Sequence, residues 1–288
     1  MKSKYKGIFF IVFSAFCFAV MALFVRLAGD LSFIQKGFFR NFVAFFFAVA
    51  IMVKNKEKIK IEKKHLPDLL GRACTGTIGL FCNFYAVDHL VLSDAAMLNK
   101  MSPFFVILFS YLFLKEKVTP AQTAIVTLAF IGSLFIVRPT TQLFTNPASL
   151  IGLLGGITAG AAYTFVRKLG QNGANKSMIV LFFSGFSSLI TVPHLIFNFE
   201  PMTVKQFLSL IGAGFAAAGG QFSITAAYFY APAKEISVYD YSQLIFSMLL
   251  GFIFFSQIPT LLSFVGYTII VISAVIMFLY NNKWRKSE

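Results

Sequence analysis

Apolar positions come in runs of about twenty along the chain, and short polar stretches separate them. A helix of about 18 to 25 apolar residues crosses a bilayer core of about 30 Å. The runs place ten such helices near residues 7–28, 33–53, 67–87, 92–114, 120–138, 150–169, 177–198, 205–230, 235–256 and 260–280. The first run is longer than the core of a signal peptide and shows no cleavage site, so it is expected to remain as a span. The pattern predicts an all-α integral membrane protein with ten transmembrane helices.

The polar stretches orient it. Lys2, Lys4, Lys6, six lysines within 54–64, Lys115, Lys117, Arg167, Lys168, Lys176, Lys234, Lys283, Arg285 and Lys286 fall on one side of the predicted bundle. Arg26, Lys36, Arg138 and Lys205 fall on the other, together with Asp30, Asp88, Asp94 and Glu200. Short loops rich in Lys and Arg stay in the cytoplasm. Both termini are therefore expected on the cytoplasmic face of the inner membrane.

Composition removes other classes. The chain is 58% hydrophobic and 12% charged, where a soluble domain carries roughly a quarter charged residues. A net charge of +14 would point to nucleic acid in a soluble protein. Here it is largely an orientation signal with some attraction to anionic lipid headgroups, and no nucleic-acid partner is expected. The run KNKEKIKIEKK at 54–64 reads the same way. Cys17, Cys74 and Cys82 all lie inside apolar runs, and an odd number without paired spacing argues against disulfides or a metal site.

A repeat runs through the chain. FVRLAG begins at Phe24 and FVRKLG at Phe165, 141 residues later. The same offset relates Gly29 to Gly170, Gly71 to Gly212, Gly79 to Gly220, Phe113 to Phe254 and Thr119 to Thr260. Ridges of small residues recur on equivalent helices: Gly71, Thr75 and Gly79 in span 3, Gly212, Ala216 and Gly220 in span 8. Such ridges let helix backbones approach where lipid gives no hydrophobic drive to associate. Two five-span halves, 1–146 and 147–288, follow. Five is odd, so the second half must insert upside down. Arg26 then ends span 1 outside and Arg167 ends span 6 inside. Inverted halves suit alternating access around a site near the midplane.

With this organisation the chain resembles the EamA type of the drug/metabolite transporter superfamily over essentially its whole length. FLKEKVTP at 113–120, with its acid Glu116, is similar to the family's junction between spans 4 and 5. SVYDYSQL at 237–244 is similar to a stretch often seen in span 9, and Gln257 stands where the second half would repeat the acid. The resemblance implies a secondary carrier of small metabolites, importing or exporting.

An ionisable side chain at mid-membrane costs about 2.5–3.5 kcal/mol on insertion scales, so it needs a wet cavity, a partner or a function. Arg40 lies inside span 2, Lys100 near the middle of span 4 and Asp240 early in span 9. The offset aligns Asn99 with Asp240 and Lys100 with Tyr241, as a site on a pseudo-twofold axis would require. Either Lys100 and Asp240 pair with each other, or Lys100 and Arg40 bind an anionic or zwitterionic head while Asp240 takes an amine or a coupling proton. Asn83, Tyr85, Tyr163, Gln221, Tyr228, Tyr239 and Gln243 complete the expected lining. Pro103 frees a backbone carbonyl just after Lys100 and can flex span 4. With Arg26, which runs against the charge bias, it is a gating candidate.

The remaining classes fare worse. GQNGANKS at 170–177 lacks the glycine before Lys176 that a phosphate-binding loop needs and follows a membrane helix. His65, His89 and His194 share no ligand spacing, so no enzyme, metal or cofactor is expected. An inverted repeat favours a carrier over a channel. The predicted partners are a small-molecule substrate and membrane lipids, with a homodimer left open. The substrate class is an amino-acid- or nucleoside-like compound or an organic anion. A lipid or polyprenyl-phosphate translocase is the alternative.

Overall fold

A computed structural model of the chain describes residues 2–90, 92–256 and 258–284; Gln257, Arg285 and Lys286 lie outside them. All regular elements among the described residues are helices. The first half contains α1 (Lys2–Leu27), α2 (Phe33–Lys54), α3 (Leu66–His89), α4 (Leu92–Asn99), α5 (Ser102–Leu114) and α6 (Pro120–Val137), with a short α7 (Gln142–Thr145) after it. The second contains α8 (Ala148–Gln171), α9 (Lys176–Asn198), α10 (Val204–Tyr230), α11 (Ala233–Ile236), α12 (Ser242–Phe255) and α13 (Leu261–Leu279). Among the described residues, nine helical segments are long and apolar enough to cross a membrane. The chain is a multi-pass membrane protein. The third expected span forms a 24-residue helix, α3, that is not among the nine; Asp68, Arg72, Asn83 and Asp88 lower its mean hydropathy.

Two expected spans are interrupted. α4 gives way to α5 at Lys100–Met101, and α11 passes through a 3-10 turn at Ser237–Tyr241 into α12. Pro103 accounts for the first break, because a proline has no N–H for the carbonyl four residues back. Phe104 N–H turns to the Met101 carbonyl (3.0 Å). The Lys100 carbonyl accepts the Tyr241 hydroxyl instead (3.1 Å). One break thus stitches to the other.

Packing repeats with the sequence. α1 lies along α10 and α3 along α8, while α12 leans on α1 and α5 on α8. Each of these pairs becomes its companion on shifting by 141. Phe24 of α1 rests on Gly212, and Phe165 of α8 rests on Gly71. A Cβ on those glycines would sit 2.9 and 2.5 Å from the rings. The phenylalanine of each FVR motif is therefore a packing knob. The junctions agree too: Lys115 and Ser256 are both left-handed (φ 55° and 52°), and Thr119 and Thr260 both cap the next helix.

The glycine stripe of α8 sits against the α4–α5 break. A Cβ on Gly156 would lie 2.5 Å from the Leu98 carbonyl oxygen, a backbone atom that cannot swing away. Gly156→Ala is expected to destabilise the purified protein by about 1–3 kcal/mol. Gly37→Ala, whose Cβ would meet Phe84 at an ordinary 3.4 Å, should change stability by less than about 0.5 kcal/mol. Superimposable melting curves for Gly156→Ala and the parent would mean that α8 and α4 are not this close.

Candidate functional site

The two interrupted spans meet at a cavity of about 150 Å³. α1 supplies Phe18 and Met21, and α2 supplies Arg40. α3 gives Arg72, Gly76, Gly79, Leu80, Asn83 and Phe84, and the α4–α5 break gives Asn99 and Ser102. The second half contributes Ala159, Ala162, Tyr163, Phe183, Gln221, Asp240 and Gln243. Five pairs in this lining stand 141 residues apart: Phe18 and Ala159, Met21 and Ala162, Leu80 and Gln221, Asn99 and Asp240, Ser102 and Gln243. In each of the first two pairs one position holds a bulky side chain and the other an alanine.

The charges do not follow that symmetry. Arg40 and Arg72 are 5% and 3% exposed, and the offset places Leu181 and Ala213 at their equivalents. Arg40 Nε donates to the Met21 sulfur (3.0 Å) and its Nη1 to Asn41 Oδ1 (3.4 Å). Asn41 in turn donates to Ser187 Oγ (2.8 Å). Arg72 Nη2 donates to Gln221 Oε1 (3.0 Å), and its guanidinium carbon lies 4.0 Å from the centre of the Phe183 ring. Gly76 makes room, since a Cβ there would collide with the guanidinium. Among the described residues neither arginine has a carboxylate partner.

Lys100 is engaged. Its Nζ donates to Asp240 Oδ2 (2.9 Å), to Gln243 Oε1 (2.7 Å) and, more weakly, to the Asp240 carbonyl (3.3 Å). The pair is largely buried, the side chains being 6% and 14% exposed, and it joins a residue of the first half to one of the second.

The structure brings together Arg40, Asn83, Asn99, Tyr163, Gln221, Asp240 and Gln243 in the lining, with Lys100 behind Asp240. Tyr228 stacks on Tyr163 (5.4 Å between ring centres), and Tyr241 braces the α4–α5 break. Tyr85 does not join the lining; it stacks on His89 (3.8 Å). Tyr239 lines a separate apolar cleft with Val12, Ile245 and Phe278. Arg26 lies outside the cavity over the Phe255 ring (4.1 Å), whereas Pro103 is buried in the first turn of α5. Arg167, the repeat equivalent of Arg26, donates to Glu116 Oε1 (2.8 Å) and to the Tyr228 carbonyl (3.0 Å). Beside it Lys168 pairs with Asp68 (2.8 Å). Arg72 joins the lining without being among the expected site residues, although it is a cation inside an expected span.

The chain matches the EamA-like transporter family over residues 5–138 and again over 146–279, segments that begin 141 residues apart. It belongs to that family. The pseudopaline exporter CntI of Pseudomonas aeruginosa is 30% identical to this EamA-family chain over 271 residues, covering 93% of it and 94% of the exporter. Human solute carrier family 35 member G1 is 25% identical over 307 residues, covering 98% of the chain and 80% of that protein. The riboflavin transporter of Vibrio cholerae is 31% identical over 192 residues, 65% of the chain and 62% of that protein. A solved crystal structure at 14% identity shares the fold, with a TM-score of 0.84 over 96% of this chain and 97% of its own. The protein is a membrane transporter of the drug/metabolite transporter superfamily.

Removing one member of a buried ion pair strands the other, at a cost of about 3–5 kcal/mol. Lys100→Met in this EamA transporter should therefore melt well below the parent, and Lys100→Met with Asp240→Asn should recover most of the loss. Additive losses in that cycle would show that the two side chains do not interact.

Proposed function

We propose that this transporter carries a small organic anion across the cytoplasmic membrane as a secondary carrier working by alternating access. In this reading the chain crosses ten times, α3 included, as two inverted five-helix halves, 1–146 and 147–288, with both termini cytoplasmic. The observation that carries it is the cavity lining: five pairs of residues one repeat apart face the same space. A site on the axis relating two halves is equally reachable from either membrane face, and tilting one half against the other exchanges which face reaches it. Arg167–Glu116 and Lys168–Asp68 would then tie the cytoplasmic end closed in this state.

The anion assignment follows from the unpaired guanidiniums. Lys100 and Asp240 neutralise each other, so Arg40 and Arg72 set the sign of the cavity. The cavity is well below the roughly 300–1,000 Å³ of sites for drug-sized ligands, which favours a small solute. The translocase reading needs an acyl-chain path continuous with the cations. The apolar cleft at Tyr239 shares no lining residue with the arginine cavity.

A thermal-shift screen of the purified protein against a metabolite panel tests this, with Arg72→Gln run alongside. A ligand at about a hundred times its Kd stabilises by roughly 2.7 kcal/mol. Organic anions should raise the melting temperature of the parent, and those that engage both guanidiniums should raise that of Arg72→Gln by less. Cations that stabilise both proteins would overturn the anion assignment, and stabilisation by lipid phosphates alone would favour the translocase.

A further inference from the structure

We propose that the ligand of the central cavity is a dianion, with its two negative charges shared between Arg40 and Arg72. This deepens the anion-carrier reading and rests on it.

Charge must balance in a place where unpaired charge is costly. Lys100 and Asp240 face each other at 2.9 Å and cancel. What remains is two guanidiniums, each at least nine-tenths buried, lining one cavity. Their partners are neutral: a thioether and an amide oxygen for Arg40, an amide oxygen and a phenyl face for Arg72. Neutral acceptors orient a guanidinium without neutralising it, and a buried charge without a counter-charge is strongly unfavourable. Arg72 Nε is also buried with no hydrogen-bond partner. A single monoanion could neutralise one arginine and would leave the other. Two negative charges neutralise both.

The neighbours agree with this. Asn83 and Asn99 bring side-chain amides to the same space. Ser102 in the first turn of α5 and Gln243 in the first turn of α12 add a hydroxyl and a further amide to the lining. Leu181 and Ala213 at the repeat equivalents of the two arginines place the excess charge in the first half alone. Two ligand chemistries satisfy the balance: a short dicarboxylate with one carboxylate at each guanidinium, or one phosphoryl group bridging both. Arginine binds either with paired hydrogen bonds.

The test is calorimetric titration of the purified full-length protein with butyrate, succinate and inorganic phosphate, on the parent, Arg40→Gln and Arg72→Gln. Succinate or phosphate should bind the parent at least about tenfold more tightly than butyrate, and each variant should lose about tenfold or more for that dianion. Butyrate binding should change by less than about threefold in either variant, because one guanidinium remains to take one charge. The ligand-free variants should melt at or above the parent temperature, since each removes an uncompensated charge. Whichever of succinate and phosphate binds more tightly identifies the chemistry. Butyrate binding as tightly as both dianions would overturn the dianion and leave the anion carrier standing. So would loss of butyrate binding in both single variants. Ligand-free melting well below the parent in both variants would mark the arginines as structural and overturn the proposal. Binding of none of the three anions would remove the anion-carrier reading together with it.

Discussion

Everything in this molecule depends on two close helix contacts, α1 against α10 and α3 against α8. Inside a bilayer, apolar side chains gain nothing by leaving lipid for protein, so packing quality decides which helices associate. Glycines at 71 and 212 let a phenyl ring from the opposite half settle directly on the backbone. Each contact joins one half to the other, and each is the repeat image of its companion. With the halves clasped twice in this way, the broken spans α4–α5 and α11–α12 face each other between them. The cavity is the space left at that meeting.

Symmetric packing around asymmetric chemistry is the second theme. The lining pairs place equivalent positions of the two halves around one space, so the backbone treats both alike. The side chains do not. Three cations come from the first half and the acid from the second. The Lys100–Asp240 pair spans the divide, and Arg40 and Arg72 stay unneutralised on one side. Each buried cation costs about 2.5–3.5 kcal/mol on insertion scales. Two of them stand in one lining without a carboxylate partner among the described residues.

Much of this was legible in the sequence, for physical reasons that can be named. Bilayer thickness imposes a run length, so the helix limits fell within a few residues of the expected ones; α9, at Lys176–Asn198, meets an expectation of 177–198. α3 is the instructive case: a full-length helix formed there, yet it is too polar to count on apolarity alone. The break at Lys100–Met101 had a marker in Pro103. The 3-10 turn at Ser237–Tyr241 had none, because it depends on Tyr241 reaching a carbonyl that only the other half's break leaves open. Lysines and arginines in loops were easy to place by side. Arg72 escaped because it stands near the end of its expected span, where a long cationic side chain ordinarily reaches out to the headgroups. The folded chain turns it inward instead, into room left by Gly76. Tyr85 and Tyr239 were plausible by type but sit on helix faces turned away from the cavity, which periodicity without a partner helix does not reveal.

In the mechanism we propose, one cavity on the axis between the halves serves both faces of the membrane. The direct measurement is labelling of Ser102→Cys by a membrane-impermeant thiol reagent, added from either side of sealed, oriented vesicles. Cys17, Cys74 and Cys82 would first be replaced. The account predicts labelling from both sides, with reagent on one side protecting against later labelling from the other. Labelling confined to one side, whatever the solutes present, would contradict it.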